Sequence, residues 1–346
     1  MDAATAFRVA LEKREPPRRP KIVPAVHSRR ILLLALRASV MRASHAQQRP
    51  HTIGFLVPGS DEFARKEYDA VTRELRSLGY SKDRLTIILR ADSNQSRLSV
   101  LANELVRLKV SFIITVGTNA SIAARGATST IPILFYGVAD PLGSGLADSL
   151  ARPGRNSTGL TNFSGRLLTE KRVALLRQLL PNLTRVAYLW DPVTGDRGIG
   201  PLINEMGIAL GFSTLVVSAS SPPELERAFQ DIVDFRSQAV IFQVDTFFEE
   251  VRRDIAEILI RIRLPSVFGD RVHVEAGGLM SYGANEDNNA GQVAIYADKI
   301  LRGDRADDIP IQQPTSLEFV ISRKTAEILG LKIPPALLLQ AARVIE

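Results

Sequence analysis

The side chains able to do chemistry in this 346-residue sequence are few, and their spacing does not form a reaction centre. Of four histidines, His27, His45 and His51 precede or open the regularly patterned region, and only His273 lies inside it. A single candidate base, with no Gly-x-Ser-x-Gly elbow to serve, makes no nucleophile–base pair, so His273 reads as a polar loop or surface residue. The absence of cysteine removes disulfides, thiolate metal sites and thiol nucleophiles. His-Glu-x-x-His, Walker A and Gly-x-Gly-x-x-Gly patterns do not occur. The acid pairs Glu249-Glu250 and Asp307-Asp308 stand in polar stretches and read as solvated charge. The expectation is a protein without catalytic residues, metal or cofactor.

Polar residues recur instead just past short apolar runs, where a parallel α/β sheet presents its ligand-binding edge. The run 112–116 leads into Gly117-Thr118-Asn119-Ala120-Ser121. Glycine permits a tight turn, Thr118 or Asn119 can cap a helix, and free amides of a first helical turn suit a carboxylate. An ordinary helix cap is the alternative. Ser60 follows the first run, and Tyr136 and Asp140 follow the fourth, although Asp140 could equally cap the next turn. Farther along, Asp191 and Asp245 each stand just past a run and offer partners for a ligand ammonium. Trp190, Tyr136 and Tyr282 could stack on an apolar ligand group. Each residue singly is as compatible with structure as with binding; their shared placement is the informative part.

That placement needs strands followed by helices, and the patterning supplies them. Residues 53–57 read as a strand; Val71, Leu75 and Leu78 stripe the next helix, which Gly79 stops. Then come a strand at 85–89, a helix striped by Leu98, Leu101, Leu105 and Leu108, and the almost wholly apolar strand 112–116. A short helix over 119–127 leads to the strand 133–136. A second series repeats the theme. Strands at 185–190, 213–217, 239–242 and 265–268 alternate with helices, one over about 248–262. Repeated β–α units imply an α/β protein with two mostly parallel, doubly wound sheets and a boundary near 159–165.

The net charge of +7 invites a nucleic-acid reading, but residues 1–46 carry ten Lys/Arg against three acids, the whole excess. A neutral body lacks the footprint that phosphate binding needs, so no nucleic-acid partner is expected. Those residues resemble an export leader: Ser28-Arg29-Arg30, the apolar run 31–36 interrupted by Arg37, and small residues Ser44 and Ala46 before a cleavage point after Ala46. Export would place the product in a periplasm, with no lipid-modified cysteine to tether it; a disordered basic tail on a cytoplasmic protein is the alternative.

Several stretches carry a resemblance: Leu78-Gly79-Tyr80, Thr130-Ile131-Pro132-Ile133, the run 140–154, Asn156-Ser157-Thr158-Gly159-Leu160, the run 277–283, and Asp298-Lys299-Ile300-Leu301-Arg302-Gly303. From about residue 52 onward the chain resembles the ABC-transporter substrate-binding family, a branch of the type 1 periplasmic-binding-protein fold. The resemblance implies two Rossmann-like lobes joined by three hinge crossings, 52–162 with about 285–312 and 163–284 with about 313–346. It implies ligand contacts from Ser60, Thr118, Asn119, Asp140 and Thr161, faced by Asp191, Asp245, Phe268 and Tyr282. It also implies a monomer that captures a small-molecule ligand and delivers it to an ABC transporter permease in the inner membrane. A ligand-sensing domain and, less favoured, a Rossmann-like enzyme are the rival readings.

Overall fold

Aliphatic runs covered on both faces can only be strands of a sheet with helices on each side, and two such sheets form here. The structure, a computed structural model, describes residues 50–162, 166–193, 199–285 and 287–346; the leader-like segment 1–46 lies outside them. Strands β1 (His51–Pro58), β2 (Leu85–Asp92), β3 (Ile113–Val116), β4 (Ile133–Val138) and β5 (Ser157–Thr161) pair in parallel in the order β2-β1-β3-β4-β5. Phe55, Phe112 and Ile114 are fully buried against helix Asp61–Ser77 and its neighbours, each contributing roughly 1.5–3 kcal/mol by leaving water. Ser60 caps that helix by accepting from the Phe63 N–H.

The second sheet holds β6 (Arg185–Trp190), β7 (Ser213–Ser218), β8 (Ala239–Phe242), β9 (Ser266–Phe268), β10 (Met280–Ala284), β11 (Leu317–Ser322) and β12 (Arg343–Ile345). Its order, β12-β11-β10-β9-β8-β6-β7, repeats the winding of the first sheet from β7 to β10 and adds β11 antiparallel to β10. The switch points of the winding, where loops after neighbouring strands diverge and leave a crevice, lie between β1 and β3 and between β6 and β8.

The chain passes between the sheets three times: after β5, after β10 into helix Asn289–Leu301, and back before β11. That helix packs on the first sheet's core through Val293, Tyr296 and Ala297. Two crossings run side by side, because Thr161 N–H donates to Gln312 O at 3.0 Å and Gln312 N–H to Gly159 O at 2.9 Å. The single helix expected over about 248–262 is broken at Val251 into Thr246–Glu250 and Arg252–Arg261. Among the described residues no helix is long and apolar enough to cross a membrane.

Candidate functional site

The loops after β1, β2 and β3 supply one wall of the site. Gly117 opens helix Gly117–Ala127 with φ of +72°, a conformation that favours glycine. A Cβ there would lie 2.6 Å from Thr246 Cγ2, so Thr246 of the second lobe packs against a bare backbone. The helix begins after Val116 without a side-chain cap; Thr118 and Asn119, expected as caps, occupy its first turn and are buried. Asn119 Nδ2 donates to Gln95 Oε1, and Asn119 Oδ1 has no partner.

The loops after β6 and β8 supply the facing wall. Asp191 is fully buried; its Oδ1 accepts from Val193 N–H at 2.8 Å and its Oδ2 has no partner. Asp245 Oδ1 accepts from Phe247 N–H at 2.7 Å and caps helix Thr246–Glu250. Burial and then the neighbouring Asp245 charge push Asp191 up to about 7, against the Val193 N–H and the Gln95 side chain. Gln243 Oε1 and Thr246 Oγ1 are buried without partners beside this pair. A buried polar atom left unpaired costs on the order of 1–3 kcal/mol, and these atoms on the two walls make the region the candidate site. Gln95, Asn119, Val193, Phe247 and Glu250 line a cavity of about 990 Å³ between the two walls.

Glu250 spans the walls. Its Oε1 accepts from Ser60 N–H at 2.5 Å and from Ser93 Oγ at 3.3 Å. Its neighbour Glu249 is pushed up to about 7 by burial, then by Asp270 and by Glu67 from the first lobe. The reading of Glu249-Glu250 as solvated charge is therefore corrected: both acids belong to the contact between lobes. The surface reading of His273 is corrected too. It is 1% exposed, with Nδ1 2.5 Å from Asp270 Oδ1 and Nε2 3.0 Å from Phe248 O.

Of the residues expected at the site, Ser60, Thr118, Asn119, Asp191 and Asp245 stand at the strand ends around the switch points, and of these only Asn119 lines the cavity itself. Others stand elsewhere. Tyr136 donates to Glu67 at 2.9 Å and packs near Phe55, and Asp140 ties the turn at Leu142 and Gly143. Thr161 Oγ1 donates to Val138 O in the crossing after β5. Phe268 is stacked between Phe242 and His273, with centroids 4.6 and 4.4 Å away. Tyr282 packs against the second sheet's core beneath Lys171. Gln95 and Gln243 were not expected; both stand just past strands, where the rule applied to Asp191 would have found them.

A family model described as ABC transporter substrate binding protein matches residues 53–345. The chain is 22% identical over 246 residues to a tyrosine-binding protein of Clostridioides difficile (strain R20291), covering 70% of this chain and 69% of that one. Its fold is similar to that of an ABC domain in complex with L-Trp from Streptococcus pneumonia. The TM-score is 0.78 at 21% identity, over 86% of this chain and all of the other. A conserved domain protein of Vibrio cholerae matches with a TM-score of 0.77 at 23% identity, over 85% and 99% of the two chains.

Proposed function

The chain belongs to the ABC transporter substrate binding protein family, and from that premise we propose that it is a periplasmic, non-catalytic receptor for a small amino compound of the amino-acid class. Asp191 and Asp245 take the ligand ammonium, Thr118, Asn119 and Ser60 line the opposite wall, and the solute leaves unchanged. On this reading 1–46 is an export leader. The lobes comprise 52–162 with about 285–312 and 163–284 with about 313–346, and the three crossings are the hinge. Closure is favoured because the ligand contacts both walls at once. The closed monomer then docks on an inner-membrane permease, whose ATPase supplies the energy. Tyr136, Asp140, Thr161, Phe268 and Tyr282 act by holding the walls and the hinge in place.

The observation that carries this reading is the buried Asp191–Asp245 pair at the second sheet's switch point, with unpartnered polar atoms around it and the first lobe's Asn119 and Gln95 opposite. Two acids enclosed together repel unless a cation joins them or one is protonated. The relatives' association with tyrosine and L-Trp supports an amino-acid class. The test is a thermal-shift screen of the protein against amino acids and simple amines, followed by calorimetry on the hits. A hit raises the melting temperature, and Asp191→Asn with Asp245→Asn weakens it at least tenfold. Hits confined to compounds without an amino group, or unchanged affinity in both variants, would overturn the assignment.

A further inference from the structure

Helix Arg166–Leu179 buries one face on the second sheet through Leu168, Val173, Leu175, Leu176 and Leu179, and Arg172 lies on that buried face at 1% exposure. Its Nε donates to Tyr282 O at 2.8 Å, while Nη1 and Nη2 have no partner. The guanidinium reaches the carboxyl-terminal edge of the sheet. Nη2 would lie 2.8 Å from a Cβ on Gly269 and 3.5 Å from one on Gly283, glycines past the end of β9 and near the end of β10. Side chains at either position would occupy the space the guanidinium enters.

Burial opposes the charge of Arg172 most strongly, and the carboxylate that supports it, Asp270, acts on His273 as well. Asp270, the carboxylate nearest in kind, is engaged by His273, and no ion pair joins it to Arg172. His273 faces acceptors at both ring nitrogens, Asp270 and the Phe248 carbonyl, which requires a doubly protonated ring. Asp270 therefore serves two cations, and the outer N–H groups of the Arg172 fork make no hydrogen bond. A buried charge persists only when something pairs it, and this geometry matches two parallel bonds to a carboxylate.

We infer that Arg172 receives the carboxylate of the bound solute at the tips of β9 and β10. The inference rests on the solute-binding reading above and narrows its ligand to a zwitterion. Neighbouring strands lie about 4.8 Å apart, which sets Asp245 past β8 and Arg172 near β9 and β10 within reach of opposite charges on one small molecule.

The test uses the full chain, with Arg172→Met to remove the charge while keeping the stem and Arg172→Lys to keep the charge without the fork. Ligand-free melts are measured first. Binding is then measured by native mass spectrometry and calorimetry with a pool of L-amino acids and a pool of the corresponding decarboxylated amines. Arg172→Met is expected to melt no lower than wild type and to bind the amino-acid hit about a hundredfold more weakly, with amine binding unchanged; Arg172→Lys is expected to fall between. A variant that melts far lower or does not fold, in both the Met and Lys forms, makes Arg172 a structural tether and overturns the inference. Unchanged amino-acid affinity in Arg172→Met overturns it as well. A wild-type protein that binds neither pool defeats the solute-binding reading and this inference with it, whereas amine binding alone defeats only the carboxylate receptor.

Discussion

Asp191 and Glu249 are both pushed up to about 7, and the sign of their effect on stability follows from that. An acid whose native pKa exceeds its unfolded value stabilises the native state fully below the unfolded value, here 3.8 and 4.5, and loses that contribution as pH rises through about 7. His273 works in the same direction: burial opposes its protonation, but Asp270 outweighs burial and raises its pKa, so its contribution is also lost on going alkaline. Asp270 lies below its ordinary value, because His273 outweighs the effect of burial, and its contribution fades only in acid. The ligand-free protein is therefore expected to melt lower at pH 8 than at pH 5.5. Asp191 alone contributes a slope of at most about 1.4 kcal/mol per pH unit, and Asp191→Asn should flatten the profile. Equal melting temperatures across that interval would contradict the enclosure of these carboxylates. Asp191 and Asp245 were legible because an acid directly after an apolar run needs a reason. Glu249 and Glu250 were not, because Glu67, Ser60 and Ser93 come to them from far along the chain. Arg172 did leave a trace: it shares the helical stripe of Leu168, Leu175 and Leu179.

Elements built on apolar periodicity were read closely. The expected strands 185–190 and 239–242 coincide with β6 and β8. β5 was not read as a strand, since Ser157-Thr158-Gly159-Leu160-Thr161 has no apolar run; its support comes from β4 on one side and Gln312 on the other. Gly159 is the tightest point of that arrangement. A Cβ there would lie 1.9 Å from Phe135 O, so any side chain must pry β5 from β4. Gly159→Ala is expected to destabilise the protein by about 1–3 kcal/mol and to expose the β4–β5 amides to hydrogen exchange before those of β1. Gly79 has nothing within 4 Å of its would-be Cβ and serves as the comparison: Gly79→Ala should cost only the backbone strain of its positive φ, with exchange at β5 unchanged. Equal protection at β5 in the two variants would mean that the crossing does not depend on this close approach.

At the scale of the molecule, two sheets with one winding order put their switch points face to face, and this much follows from the repeated β–α series. What joins the faces could not be read from either series alone, because it consists of pairs between them: Glu250 with Ser60 and Ser93, Thr246 against Gly117, and Gln95 beside Asp191. Glu250 is the most direct of these. Its carboxylate accepts a backbone N–H from the opposite lobe, a charge-assisted bond that, under the proposed hinge closure, exists only while the lobes are closed. A contact confined to one of two states biases the equilibrium by its own free energy, about 1.5–3 kcal/mol for a hydrogen bond to a charged group. Glu250→Ala should therefore weaken ligand binding by roughly ten- to a hundred-and-fiftyfold. It should also increase the ligand-free radius of gyration in small-angle scattering, while saturating ligand restores the wild-type value. Glu250→Gln, whose amide oxygen can still accept the Ser60 N–H, should recover part of the loss. If Glu250→Ala binds as tightly as wild type and scatters identically without ligand, the bond across the cleft contributes nothing to closure, and the bias must come from the ligand alone.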